Sequence, residues 1–413
     1  MVSDFPAFQD SSPESGKVPQ AEGSVLTRAI GTQDEGKTAW ANEDKILVHL
    51  YSPKYGDQAV TLTFDAENNT WESDGGTLSY LENETPTITA VYAPDCEIKS
   101  NKTIGLLEGK QYGEAEYILA RTTISENSLD INFESGRTYS RLRIAGLANQ
   151  TLTVTTTNFT PAGAPQAEGS VTYTLTTDNN GNAFLYGVFA EGATVSVKQG
   201  DITLKDYTFS AEKNPNGTEH NKSYALDATP VIDGTLGGKT EATEDDITTL
   251  VEQLKEYVDN GITTIIVPGT EYAMYKSNLG TIPAFAEALY LLTDLNEDSP
   301  YCGTIDLILP DATEIIDFSF DSADALKSIT LPKVTTVGDG AFYGCYYLQT
   351  ITFGSVVTAI NHNTKAEFHW VGKKVEGCDL VLNREQVNAE ADYQPNIETR
   401  TWWNTEWKSI TLK

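Results

Sequence analysis

The stretch DALKSITLPKVTTVGDGAFYGCYYLQTITFGSVVTAI, residues 324–360, carries one pattern twice. Leu309, Leu331 and Phe353 follow one another at intervals of 22 residues, and the same interval separates Ile315 from Val337, Phe320 from Phe342, Leu326 from Leu348 and Ile329 from Ile351. A fixed period of this size in one apolar register predicts a solenoid, in which each coil buries its apolar edge against the next. In the coil GAFYGCYYLQTITF, 340–353, Phe342 and Leu348 point inward and Ile351 and Phe353 lie on a short strand. Gly340 and Gly344 permit tight turns around the Ala341–Phe342 step. The same glycines do not make a phosphate loop: GDGAFYG is neither GxGxxG nor GxxxxGK[ST], and no strand leading into a long helix surrounds it.

Outward from this stretch the pattern fades on both sides. A degenerate coil is legible at IDLILPDATEIIDFSF, 305–320, and a first strand at TTIIVP, 263–268. Before them Ile247, Leu250, Val251, Leu254 and Val258 sit at helical spacing, with Thr243 and Asp246 placed as a capping box and Gly261 beyond the C-terminus. This predicts a helix over 243–259 that shields one end of the solenoid, while the tail CDLVLNREQ…TWWNTEWKSITLK shields the other. The unit "L..IxLP…I…AFxxCxxLxxI" resembles the BspA-type leucine-rich repeat. That resemblance implies a right-handed solenoid with a concave parallel sheet, of a kind found on many microbial surface proteins. Outward strand positions Ser328, Thr330, Thr350 and Thr352 then form a polar concave strip, where repeat proteins commonly bind. Trp402, Trp403 and Trp407, beside Tyr393, form either a plug for the last coil or an aromatic platform for sugar rings.

From Val25 to about Thr229 the chain reads as all β. Short runs alternate apolar and polar residues, as in KILVHLY (45–51), AVTLTF (59–64), TITAVY (87–92), TLTVTTTNF (151–159), SVTYTLTT (170–177) and ATVSVKQ (193–199). Turn signals separate them at AENN (66–69), SDGG (73–76), DNNGN (178–182) and NPNG (214–217). About 200 residues of such strands exceed one small sandwich, and AGAPQAEGS, 162–170, is a plausible break near the second half. Residues 1–24 are acidic, Pro/Ser-rich and aperiodic, and read as a disordered lead-in or tether.

Several pieces of this half resemble, in their order, the fimbrillin-like surface proteins of Bacteroidales: LTRAI (26–30), WANEDKILVHLY (40–51), TAVYAP (89–94) and YILARTTISENSLDINFESGRTYSRLRI (117–144). FESGR, 133–137, departs from the family's Phe-x-His step. The resemblance implies two tandem transthyretin-like β-sandwiches, at 25–147 and 148–229, and export as a lipoprotein. It also implies cleavage after Arg28, which frees a groove for a strand donated by another subunit; an ordinary linker arginine in a protease-prone terminus is the plainer reading. Stalk subunits donate a strand from their own C-terminus, whereas this chain ends in WKSITLK, better suited to closing the solenoid. A terminal or stand-alone surface protein is therefore expected rather than a repeating stalk subunit.

Charge and residue inventory narrow the function. The 413-residue chain carries 59 Asp and Glu against 28 Lys and Arg, a formal charge of −31, whose field repels nucleic acid and anionic headgroups. The best apolar run, IPAFAEALYLL at 282–292, is too short to span a bilayer and contains Glu287. The N-terminus lacks the basic start and apolar core of a signal peptide, so the chain is either cytosolic or trimmed of its signal. Cys96, Cys302, Cys345 and Cys378 show no CxxC pair and read as buried thiols, although their three possible pairings cannot be told apart. The four histidines, His49, His220, His362 and His369, have no ligand-spaced partner, and no GxSxG elbow occurs. Asp245–Asp246 and Glu297–Asp298 read as helix capping and loop solvation. DNNGN lacks the glycine and distal Glu of a calcium loop and reads as a hairpin turn.

These readings converge on a multidomain protein: all-β tandem transthyretin-like β-sandwiches, then a short α/β leucine-rich-repeat solenoid over 230–413. The expected function is non-enzymatic: cell-surface adhesion or a fimbrial accessory or tip role, at an outer membrane, with any export signal or lipid anchor outside this sequence. Expected partners are other fimbrial subunits or host or bacterial surface proteins, with glycans as a further class and no cofactor. A surface glycan-binding lipoprotein serving nutrient capture is the first alternative, and a secreted enzyme with an unseen site is the second.

Overall fold

The computed structural model describes residues 2–6, 37, 39–125, 128–134, 136–164, 168–210, 212, 217–278, 280–294, 296–360, 367–403 and 405–413. The chain is mostly β, with two α-helices among the described residues, and it divides into two compact units. One comprises Met1–Gln199 and Thr203–Ala228, the other Gly200–Ile202 and Thr229–Lys413.

The first unit holds two principal sheets. In one, antiparallel strands run in the order Thr70–Ser73, Gly56–Asp65, Lys45–Ser52, Thr87–Tyr92, Ile118–Leu119. Alternation along KILVHLYS sends Ile46, Val48 and Leu50 to one face, all essentially without solvent exposure. The same core takes in Val60, Ala90, Tyr92, Ile118, Ile131 and Phe133. It also takes in Phe5, whose ring meets Trp40 edge-on at 4.8 Å and Tyr92 at 5.3 Å. Val2 bridges to Ile131 and the Ser3 amide donates to its carbonyl. Residues 2–6, assigned by composition to a lead-in tether, are thus bound to this core, because Phe5 supplies an apolar anchor that the acidic, Pro/Ser-rich composition of the whole segment conceals.

The second sheet orders Glu168–Thr176, Thr151–Pro161, Asn182–Gln199, Ser140–Ala145 and Ser223–Asp227, with Ile202–Thr208 also on Asn182–Gln199. The long strand Asn182–Gln199 pairs with Ser140–Ala145 through its first residues and with Thr151–Pro161 further along. A register shift between Thr157 and Phe159 is accommodated by Asn158 at φ 51°. Ser140–Ala145, grouped by sequence with the first sandwich, is hydrogen-bonded into this second sheet, a pairing that strand alternation alone cannot reveal. The turn at 178–182 closes on Asp178, whose Oδ1 accepts from the Asn180 and Asn182 amides at 2.8 and 2.9 Å. It is not a hairpin, since Thr151–Pro161 lies between the strands it joins.

In the second unit, six strands form one parallel sheet in strict chain order: Thr264–Ile266, Ile305–Ile308, Leu326–Leu331, Thr350–Phe353, Asp379–Leu382 and Ser409–Leu412. Ile329 pairs with Ile351 and Leu331 with Phe353, and all four are fully buried. A second parallel ladder, Glu314–Ile315, Thr336–Val337 and Ala359–Ile360, repeats the same progression. Between these ladders runs a column of rings: Phe320 stacks on Phe342 and Phe342 on Phe368, at 5.5 and 5.6 Å with near-parallel planes. Each such buried Phe contributes about 1.5–3 kcal/mol through apolar burial. Gly340 stands at φ 61°, and a Cβ there would lie 2.4 Å from the Phe318 ring, so the turn requires glycine.

The helix Glu244–Asp259 begins at Thr243, whose hydroxyl accepts from the Asp246 amide while the Asp246 carboxylate accepts from the Thr243 amide. Its buried stripe is Ile247, Leu250 and Leu254. It packs against a shorter helix, Ala284–Leu291, drawn from the apolar run noted in the sequence.

Candidate functional site

Period-two alternation sends every second residue of the six-stranded sheet outward, and the parallel register aligns those residues into two rows. The first row runs Thr264, Asp306, Ser328, Thr350, Asp379, Ser409, and the second Ile266, Ile308, Thr330, Thr352, Val381, Thr411. The four expected positions, Ser328, Thr330, Thr350 and Thr352, therefore stand together at the middle of this face. All four are half-buried, while Ile329, Ile351, Leu331 and Phe353 fill the opposite side.

Sequence reading missed the carboxylates of the first row. Asp306 Oδ1 accepts from the Ser328 hydroxyl at 2.6 Å, and Lys327 Nζ lies 3.3 Å from Asp306 Oδ2. Asp379 Oδ1 accepts from the Ser409 hydroxyl at 2.7 Å. Asp306 was within reach, because it precedes Ser328 by the 22-residue interval. No described residue hydrogen-bonds the Thr330, Thr350 or Thr352 hydroxyl, so three open donor–acceptor groups lie between two fixed carboxylates. With strands ~4.8 Å apart, the rows span roughly 24 Å. Such a face offers hydrogen bonds and negative charge to an extended partner rich in donors. No histidine or cysteine lies on either row, and no group of His, Cys, Asp and Glu suited to a metal occurs among the described residues.

The tryptophans divide. Trp402 and Trp407 are 1% and 2% exposed and close the ring column, Trp402 against Phe353 and Phe368 and Trp407 against Phe368. The Trp402 indole N–H donates to the Tyr393 carbonyl at 2.9 Å and that of Trp407 to the Trp402 carbonyl at 3.2 Å. The platform, one of the two readings of Trp402, Trp403 and Trp407, is thereby corrected: two of its rings belong to the core, whose open end demands large apolar side chains. Trp403 is half-buried and stacks on Tyr393 at 5.3 Å.

Arg28 and His362 lie outside the described residues. His49 Nε2 lies 2.9 Å from Asp57 Oδ1, and His220 and His369 are exposed. All four cysteines are free, and burial pushes the thiols of Cys345 and Cys378 up, away from nucleophilic thiolate. No described helix is long and apolar enough to cross a membrane.

Residues 301–367, which hold three of the six strands, match the family model described as "BspA type Leucine rich repeat region (6 copies)". No curated protein matches the chain. Among solved structures, a "putative cell adhesion protein" from Bacteroides ovatus ATCC 8483 is 13% identical over 46% of this chain and 83% of its own, with a TM-score of 0.27.

Proposed function

We propose that the chain is a non-enzymatic cell-surface adhesion protein of a bacterium, with the two outward rows of its parallel sheet as the adhesive face. The observation that carries this reading is the continuous alignment of hydroxyls and carboxylates, Asp306–Ser328–Thr350–Asp379–Ser409, over strands that include the leucine-rich-repeat match. A surface held rigid by a buried ladder loses little entropy on binding, which favours extended partners over small substrates.

In this reading the region 230–413 is a short leucine-rich-repeat solenoid capped by its N-terminal helix and its C-terminal tryptophans. Residues 25–147 and 148–229 are tandem transthyretin-like sandwiches, with Ser140–Ala145 contributed across that boundary. The protein is anchored at the outer membrane as a fimbrial tip or stand-alone component, and its partners are surface proteins of host or neighbouring cells. Cleavage after Arg28 separates the N-terminal segment, including Phe5, from the rest of the chain.

Biotinylation of intact cells with a membrane-impermeant reagent, followed by mass spectrometry of the mature N-terminus, tests display and processing together. Labelled chain on intact cells supports the reading, and a start at Ala29 assigns it to an assembled fimbria. Labelling only after lysis contradicts it.

A further inference from the structure

The side of the second unit formed by the Ala-Phe turns carries a second group of rings, separate from the two rows. Hydrogen bonds between successive coils align Ser322 with Gly344, through Ser322 N to the Tyr343 carbonyl at 2.7 Å, and Gly344 with Trp370, through Gly344 N to the His369 carbonyl at 2.9 Å. All three equivalent positions adopt left-handed backbone, at φ 57°, 68° and 66°. Glycine satisfies that conformation without strain, whereas a bulky residue there costs about 1–2 kcal/mol. Trp370 occupies it nonetheless, and its side chain is not held in the core: it is 39% exposed.

What this backbone presents is a cluster. Trp370 lies 5.2 Å from Tyr343 and 6.1 Å from Tyr346, its plane nearly parallel to that of the latter at 19°. His369 stacks on Tyr343 at 5.8 Å and touches Trp370 at 4.6 Å, and the flexible Lys373 side chain holds its Nζ over the Trp370 ring, 5.2 Å from the centroid, where a ligand would displace it. The hydroxyls of Tyr343 and Tyr346 and the imidazole of His369 form no hydrogen bond with any described residue. Aromatic faces are thus ringed by polar atoms left to solvent.

We propose that Tyr343, Tyr346, His369 and Trp370 form a saccharide-binding site that stacks one pyranose of an uncharged polysaccharide on the Trp370 ring. The C–H bonds on a pyranose face are partially positive and meet the negative face of an indole, while the phenols and imidazole supply donors and acceptors to the sugar hydroxyls. A protein partner needs about 800 Å² of surface with an apolar centre. Between residues 301 and 382, however, Trp370 is the one exposed large apolar side chain among those described. The formal charge of −31 disfavours anionic glycans. The proposal is independent of the two-row face and stands whether or not that face is adhesive.

The test is calorimetric titration of the full chain with hexasaccharides of β-1,4-linked glucose, mannose and xylose and of α-1,4-linked glucose, plus hexagalacturonate as the charged control. At least one neutral probe is expected to bind with Kd of roughly 0.01–1 mM. Trp370→Gly keeps the backbone in its preferred conformation, so it should melt at or above the wild-type temperature yet bind at least ~10-fold more weakly, the loss of one stacked aromatic ring. Tyr346→Phe keeps the ring and should weaken binding by roughly 2- to 10-fold through the lost hydroxyl, and Trp403→Ala should bind as wild type. The proposal is overturned by silence from every neutral probe, by wild-type affinity in Trp370→Gly, by tighter binding of hexagalacturonate, or by a wild-type dimer that Trp370→Gly dissociates.

Discussion

Phe320 and Phe342, one repeat apart in the chain, stack ring over ring at 5.5 Å with planes 13° apart, and Phe342 repeats the relationship with Phe368 at 8°. Removing the middle ring leaves a cavity flanked by two faces that cannot close on each other. Phe342→Ala should cost about 3–5 kcal/mol. Native-state hydrogen exchange at Leu326–Leu331 and Thr350–Phe353 should then lose roughly 10²- to 10³-fold protection, and protection within tenfold of wild type would refute the ring column as a stabilising element.

The C-terminal tryptophans should separate by burial. Trp407→Ala removes a core ring and should cost about 3–5 kcal/mol, whereas Trp403→Ala truncates a half-buried ring and should stay within about 1–2 kcal/mol. Comparison of the two variants in urea melts checks the order, and equal losses would contradict the assignment of Trp407 to the cap.

In the first unit, Arg137 and Glu116 form a fork of hydrogen bonds at 2.6–2.9 Å, with the two side chains 1% and 10% exposed. Tyr139 adds a third donor to Glu116 at 3.1 Å. Glu116→Ala leaves a buried guanidinium without its countercharge and should cost about 3–5 kcal/mol, while Glu116→Leu with Arg137→Met should recover most of the loss. A double variant no more stable than the single would argue against desolvation as the cause.

Burial lifts the Asp324 carboxyl to about 6 from its ordinary 3.8, and its Oδ1 lies inside without a hydrogen-bond partner. The folded chain holds that proton more tightly than the unfolded chain, so the carboxylate destabilises the fold above pH 6. The penalty shrinks as pH falls from 6 to about 4 and is gone below. Asp324→Asn should therefore raise the melting temperature at pH 7.5, by the equivalent of about 1 kcal/mol once half-exposure is allowed for, and leave it unchanged at pH 3.5. A larger gain at pH 3.5 than at 7.5 would reverse the sign and refute the shift.

Periodicity made the centre of the second unit readable: Ser328 and Thr350, like Leu331 and Phe353, pair at an uninterrupted 22-residue interval. Asp379 and Ser409 were hidden because they follow Thr350 and Asp379 by 29 and 30 residues, although each pairs in the same row. Trp370 was hidden likewise, at 26 residues from its equivalent Gly344. Insertions between strands, such as the 3-10 turns Arg384–Asn388 and Ala391–Tyr393, break the sequence period without disturbing the backbone ladder. In the first unit, alternation announced the strands but not their sheet, as Ser140–Ala145 demonstrates, because one strand's inward residues look alike to any core. Trp402 and Trp407 had two readings in sequence, and only packing against Phe368 separates a plug from a platform.

The most direct test of the proposed adhesive face is a bead assay with the full chain on bacterial and epithelial cells. It compares wild type with Thr352→Arg, which blocks the centre of the rows, and with Asp306→Asn/Asp379→Asn, which removes their charge. Wild-type beads should adhere, and both variants should retain the wild-type fold and lose adhesion by roughly tenfold or more, as expected when the centre of an interface is altered. Folded variants that adhere as well as wild type would contradict the account.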